Sequence, residues 1–138
     1  MKYIYNIIIL IYRCLILLYS IFNNKASKIH QAQKGLLLKI YNATKDQKNI
    51  VWFHAASLGE YKQGQPVIEL YKIKYPDHKI LLTFYSSSGI ENVSDKNVNF
   101  LFYLPYDTKK NAEYIVRNVN PIKVIFIKYD FWYNYIRT

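Results

Sequence analysis

The sequence predicts an α/β fold: a Rossmann-like parallel sheet with flanking helices, preceded by an N-terminal membrane helix. Three observations carry this. Residues 3–22 are almost continuously apolar. From residue 50 onward, short apolar runs alternate with segments of helical periodicity. Polar clusters follow the ends of those runs, at 54–60, 83–89, 105–108 and 128–134. Alternating strands and helices form parallel sheets with right-handed crossovers, and their ligand sites lie at the carboxyl ends of the strands.

The first segment, YIYNIIILIYRCLILLYSIF, has the ~20 residues that a membrane span requires. Asn6 stands near its start and Arg13 at its middle; a mid-span arginine costs roughly 2.5–3.5 kcal/mol on insertion scales. Residues 1–24 are therefore expected to form a membrane anchor that spans once or lies tilted at the interface. A cleaved signal peptide fits less well, because Arg13 splits the apolar region and no small-residue cleavage site follows. Lys25, Lys28, Lys34, Lys39, Lys45 and Lys48 come after it, against Lys2 before it. That asymmetry places the downstream residues in the cytoplasm, and each lysine near anionic headgroups adds ~1 kcal/mol of attraction. Residues 25–49 read as a basic, partly helical connector. Its apolar patch, Leu36 to Leu38 with Ile40, suits a helix on the membrane or, more commonly, one packed against the domain.

Residues 50–138 form the predicted sheet domain. IVWFHAA is the first strand, and SLGEYKQGQ the turn that opens a helix. In PVIELYKIKYP, Val67, Ile68, Tyr71 and Tyr75 stand at helical spacing, with Pro66 suited to the first turn. KILLTFY is the second strand and SSSG a polar loop; FLFYLP is the third strand. PYDTKKNAEYIVRNV reads as a helix capped by Asp107 or Thr108, and KVIFIKYD as the fourth strand. A four-strand half-sheet is a plausible unit, and the stop at Thr138 is abrupt enough to expect a fragment of a longer reading frame.

Composition bounds the partners. With 51% hydrophobic residues the chain is not of the disordered class. A net charge of +10 favours anionic partners. No nucleic-acid motif appears, so a membrane surface or a phosphorylated ligand is the better fit. The lone Cys14 lies in the apolar segment and permits neither an internal disulfide nor a cysteine metal site; it reads as a small buried hydrophobe.

The segment from Trp52 to Glu60, WFHAASLGE, bears the most chemistry. Gly59 allows a tight turn, and Glu60 falls at a helix N-terminus, where the dipole favours its ionised form. An ionised carboxylate in a cleft can take a proton from a hydroxyl. Read from the pattern alone, Glu60 is simply a favourable helix start. His54 divides evenly between a satisfied core histidine and a functional one. Thr83, Ser86, Ser88 and Gly89 could hydrogen-bond oxygens of a ligand or serve as ordinary turn chemistry.

Five motifs in order, WFHAASLGE, QGQPVIE, YPDHKILLTFYSSSG, FYLPYDTKKNA and IKYDFWYNY, resemble the N-terminal domain of 3-deoxy-D-manno-octulosonic acid (Kdo) transferases. The resemblance covers residues 50–136 well and residues 1–49 loosely. It implies the N-terminal half of a GT-B glycosyltransferase, on the cytoplasmic face of a Gram-negative inner membrane. Such an enzyme transfers Kdo from CMP-Kdo to the lipid A precursor in lipopolysaccharide biosynthesis, with most of the donor site in a second domain. By motif, Glu60 matches the family's catalytic base, deprotonating a sugar hydroxyl for inverting attack on the donor. Ser57 and Gly59 shape its loop, and Thr83, Ser86, Ser88 and Gly89 match a substrate-binding loop. Neither metal nor cofactor is implied, and the implied partners are the lipid acceptor, CMP-Kdo and the membrane, not nucleic acid.

Two stretches depart from the family pattern. Lys128 to Asn134 stands where the family commonly has Glu-Thr-Glu-aliphatic-Trp-Pro-Asn. Asp130 keeps the second carboxylate on a shorter arm, Lys128 reverses the sign of the first, and Tyr133 replaces the proline. In the connector, Gln33 stands where an arginine is expected, leaving Lys34 as a point charge for the lipid phosphate. The alternative to an enzyme is a non-catalytic membrane-anchored remnant that at most binds the lipid acceptor; by this reading the 138 residues alone do not turn over.

Overall fold

The computed structural model describes residues 2–138. Four parallel strands, β1 (Ile50–Ala55), β2 (Lys79–Phe84), β3 (Phe100–Tyr103) and β4 (Lys123–Phe126), stand in the order β3-β2-β1-β4. Helices α4 (Leu58–Lys74), α5 (Ser87–Asn92) and α6 (Lys109–Val119) connect them in turn. The chain thus alternates strand and helix as the periodicity requires. The central strands β1 and β2 carry continuous apolar runs because both of their faces are covered.

Each face of the sheet has its own core. On one, Ile50, Trp52 and Leu81 pack against Leu36 and Ile40 of α3 (Leu36–Thr44), against Ala112 and Ile115 of α6, and against Tyr135 of the terminal helix α7 (Tyr133–Arg137). On the other, Val51, Phe53, Ile80, Leu82 and Phe84 meet Tyr61 and Ile68 of α4. Leu36 and Ile40 of the connector are 4% and 1% exposed. The connector's apolar patch therefore packs against the domain, the commoner of its two expected fates.

Three local expectations are corrected. Helix α4 begins at Leu58, so Pro66 lies inside the helix and not in its first turn. The cause is an overlooked start signal: Ser57 caps the helix and accepts from Glu60 N (3.4 Å), as in an S-x-x-E box. Val67 consequently faces solvent at 52% exposure while Ile68 is buried. The SSSG segment is not only a loop, since α5 starts within it. Residues after β4 add the short helix α7, an element beyond the expected fourth strand.

The expected spanning anchor is also corrected. Helix α1 (Lys2–Tyr19) has 18 residues, and among the described residues no helix is long and apolar enough to cross a membrane. Met1, part of the expected anchor, lies outside the described residues. The residues that would be costly in a bilayer are turned onto the protein. Tyr5 Oη donates to Asp107 Oδ2 (2.6 Å), Asn134 Nδ2 donates to Asn6 Oδ1 (3.1 Å), and the Tyr12 and Tyr85 hydroxyls share a hydrogen bond. The Arg13 guanidinium sits 5.3 Å from the Tyr106 ring centre. Ile9, on the same stripe, is buried. Tyr85, Tyr106 and Tyr133 follow β2, β3 and β4, so α1 lies beside the carboxyl edge of the sheet. The opposite stripe, Ile4, Ile7, Ile8, Ile11, Leu15 and Leu18, is more than half exposed. Helix α2 (Asn24–Ala32) then turns the chain back, capped by Asn23 Oδ1.

Candidate functional site at the carboxyl edge of the sheet

The loop after β1 is built around Glu60. Its Oε2 accepts from the backbone N–H of Ala56 (2.7 Å), which pins the carboxylate over the turn. Glu60 is half-buried, whereas Gly59 is exposed. The backbone N–H of Ser86 donates to Ala56 O (2.9 Å), tying this loop to the one after β2. There the Ser86 and Ser88 hydroxyls hydrogen-bond each other (2.6 Å) and remain half-buried. Gly89 is buried, and a Cβ at that position would overlap the Phe84 ring; this close approach requires glycine. Ser57, Gly59, Glu60, Ser86, Ser88 and Gly89 therefore belong to two adjoining loops.

Thr83 and Asp130 belong to a second, neighbouring cluster. Thr83 is 1% exposed, and its Oγ1 accepts from Trp52 Nε1 (2.8 Å). The same oxygen lies 2.9 Å from His54 Nδ1, and His54 Nε2 lies 2.6 Å from Asp130 Oδ2. With Trp52 as a donor only, the simplest assignment runs in one direction. Thr83 gives its proton to Nδ1, and His54 donates from Nε2 to Asp130. The Thr83 hydroxyl is thus fully engaged inside the protein. Burial alone would push the Asp130 carboxyl up, but the hydrogen bond it accepts from His54 outweighs it and holds the group below its ordinary value. Asp130 keeps part of its surface open.

The expected cap residues divide their work. Thr108 Oγ1 accepts from Asn111 N (3.2 Å) and caps α6. The buried Asp107 instead reaches α7, where its carboxylate accepts from the backbone N–H groups of Asn134 and Tyr135 (3.0 Å each) as well as from Tyr5. Burial raises its pKa, and these three hydrogen bonds only partly offset the rise. Lys34 stands apart from both clusters, exposed between α2 and α3, where Gly35 adopts a left-handed φ of 65°.

Sequence reasoning missed the His54–Asp130 pair. Its members are 76 residues apart. They meet because β1 pairs with β4, bringing His54 opposite Phe126, four residues before Asp130. The exposed side of Lys128, whose φ is 65°, was equally invisible in the sequence.

These features define a Rossmann-like α/β domain whose carboxyl edge carries hydroxyls and two oriented carboxylates, and such a fold does not by itself choose a chemistry. Comparison with known proteins shows the family. A family model described as 3-deoxy-D-manno-octulosonic-acid transferase (kdotransferase) matches residues 30–138, and the chain belongs to that family. A 3-deoxy-D-manno-octulosonic acid transferase of Chlamydia muridarum is 28% identical over 95 residues, covering 67% of this chain and 22% of that protein. The namesake of Chlamydophila psittaci is 31% identical over 91 residues, 63% of this chain and 21% of its own length. That of Aquifex aeolicus is 29% identical over 90 residues, 64% of this chain and 25% of its own. The matched region thus amounts to about a fifth to a quarter of each relative's length.

Proposed function

We propose that this chain is the acceptor-side part of a GT-B enzyme that transfers Kdo from CMP-Kdo to the lipid A precursor. Family membership supports the reaction class, and one observation carries the assignment of the base. Glu60 sits at the carboxyl end of β1, with one carboxylate oxygen fixed by Ala56 N–H and the residue still half open. A carboxylate oriented in this way can accept the proton of an attacking sugar hydroxyl. Ser57, Gly59, Ser86 and Ser88 line the same loops, and Asp130 offers a second carboxylate beside them. Thr83 acts through His54, and Gly89 by admitting Phe84.

The chain works at the cytoplasmic surface of the inner membrane, with α1 lying in the interface and not through it. Its exposed stripe seats among acyl chains while the exposed connector lysines Lys25, Lys34, Lys39 and Lys45 meet anionic headgroups. Joining these residues to a relative's donor half and assaying with CMP-Kdo and the lipid acceptor tests the function. Kdo-modified lipid is expected, and a folded fusion without product overturns the reading.

Lys128 favours a second reading. A cation where the family places a glutamate, on a backbone of positive φ, fits a chain that binds acceptor without turnover. In the fusion, Lys128→Glu then raises turnover from zero.

A further inference from the structure

The end of β1 holds both carboxylates of the candidate site, by different means. The Ala56 N–H fixes Glu60 (2.7 Å), and the ring of His54, two residues earlier, fixes Asp130 (2.6 Å). The His54 side chain is fully buried, while that of Asp130 is 19% exposed. The imidazole thus backs the carboxylate from the interior. It engages Oδ2 and leaves Oδ1 outside that bond. Lys128, Tyr129 and Phe131 around Asp130 are exposed, so this acid is the one side chain of its loop that turns inward to β1. The backbone reinforces the contact, because the Ile127 N–H donates to His54 O (2.8 Å) where the loop begins. The Phe126 ring stands edge-on to the imidazole at 5.8 Å and limits its tilt.

The direction of the hydrogen bonds follows from their donors. Trp52 Nε1–H can only donate, and Tyr135 holds its ring edge-on at 5.2 Å. Among the described residues, the Thr83 hydroxyl has no partner besides Trp52 and His54. If Nδ1 carried the ring proton, two donors would point at Thr83 Oγ1. Its own proton would then have no acceptor in a site 1% exposed, and a buried donor without a partner is costly. Nε2 would also turn a lone pair toward the Asp130 carboxylate. The order Trp52, Thr83, His54, Asp130 therefore selects the Nε2–H tautomer. A core histidine needs only that both ring nitrogens be satisfied. It does not need one of them aimed at a partly open carboxylate on a loop.

We infer that His54 is a positioning residue: Thr83 fixes its tautomer, and its Nε2–H turns Asp130 so that the other carboxylate oxygen accepts a hydrogen bond from a sugar hydroxyl. That the ligand is a sugar rests on the reading above; the positioning rests on the geometry alone. A carboxylate with one oxygen held and the other open is a directional, charge-assisted acceptor. The bond from His54 also keeps the group ionised by holding its pKa low. Asp130 takes no proton in this scheme; that step stays with Glu60. The hydroxyl belongs to the acceptor or to the donor sugar, and the two Michaelis constants tell them apart.

Ring nitrogen-15 spectra of the full chain test the geometry, with His54→Gln separating the His54 signals from those of His30 and His78. The wild-type ring is expected as the Nε2–H tautomer. Thr83→Val keeps the shape but removes the hydroxyl; it should mix the two tautomers and move the carbon-13 carboxyl signal of Asp130, whereas Thr83→Ser should do neither. An Nδ1–H tautomer in the wild type overturns the inference, as does a tautomer that Thr83→Val leaves unmoved. In the fusion to a relative's donor half, His54→Leu and Asp130→Asn should each raise the KM of one and the same substrate about tenfold or more, the range for a hydrogen bond to a charged group. A rise for the lipid acceptor assigns the hydroxyl to the acceptor, a rise for CMP-Kdo assigns it to the donor, and both uphold the role of His54. His54→Gln, whose Nε2 replaces the ring donor, should recover most of the loss. Because His54 acts through Asp130, the double variant should be no worse than the poorer single one. Losses that multiply in the double variant would make His54 a core histidine only and overturn the inference, as would wild-type constants in a folded His54→Leu enzyme. Melting temperatures certify folding, and where His54→Leu does not fold, Thr83→Val takes its place in the cycle. An inactive wild-type fusion that keeps the Nε2–H tautomer and its coupling to Asp130 would overturn the Kdo reading alone.

Discussion

At the scale of single residues, two carboxylates of similar setting are expected to behave differently. Glu60 is held by one backbone N–H and stands at the N-terminus of α4. Glu60→Gln keeps size and polarity but removes the base. In the fused enzyme turnover should fall by ~10²–10⁴-fold, the usual contribution of general-base catalysis. A mere helix-start role would cost about 0.3–1 kcal/mol of stability and leave the rate nearly intact; melting temperature and turnover measured together separate the two. Asp130 is paired with buried His54, and its folded pKa lies below the unfolded value of 3.8. A lowered carboxylate stabilises the fold above the unfolded pKa and loses that contribution as pH falls through the folded one. Asp130→Asn should therefore destabilise the chain by ~1–3 kcal/mol near neutral pH. The gap should narrow as pH falls below 3.8 and through the folded pKa, which urea melts at neutral and acid pH would show.

At the scale of elements, Asp107 decides how α1 and α7 sit. Its carboxylate satisfies two N–H groups at the start of α7 and the hydroxyl of Tyr5 on α1. A five-residue helix cannot hold itself in water, so α7 depends on this remote cap and on Tyr135 in the core. Asp107→Ala leaves those donors without their partner. A loss of ~2–4 kcal/mol is expected, with hydrogen exchange rising first at Asn134 and Tyr135. If exchange there stays at the wild-type level, the cap is not what holds α7. Because its pKa is raised in the fold, Asp107 itself is better tolerated at low pH than at neutral pH, opposite in sign to Asp130.

At the scale of the whole molecule, α1 joins the sheet's carboxyl edge to an apolar outer surface. One stripe, Tyr5, Asn6, Ile9, Tyr12 and Arg13, faces the protein, and the opposite stripe carries the exposed aliphatics. Binding to vesicles containing anionic lipid is expected. The triple change Ile8→Asn, Ile11→Asn and Leu15→Asn should weaken it at least about tenfold, given ~1.5–3 kcal/mol for each fully buried aliphatic side chain. High salt should weaken it further by screening the lysines. Unchanged flotation of the triple variant would remove α1 from membrane attachment. The 138 residues alone are expected to yield no Kdo product from CMP-Kdo, because transfer requires donor and acceptor positioned together; measurable turnover would show that the acceptor side is not all they supply.

The sequence by itself determined the alternation of strand and helix, the parallel sheet, the apolar core and the family. These rest on periodicity and on local motifs, which need no knowledge of distant contacts. The turn bearing Glu60 was legible for the same reason, since Gly59 and Glu60 lie within it, whereas the cap by Ser57 was not. Only the tertiary structure decided the fate of α1. Its apolar run reads as a span until Tyr5, Asn6, Tyr12 and Arg13 find partners on loops after three different strands. Only the tertiary structure joined His54 to Asp130, because strand order, and not strand identity, makes β1 and β4 neighbours. Polar groups far apart in the chain are read as costs until packing supplies their partners, and no local pattern encodes which partner that will be.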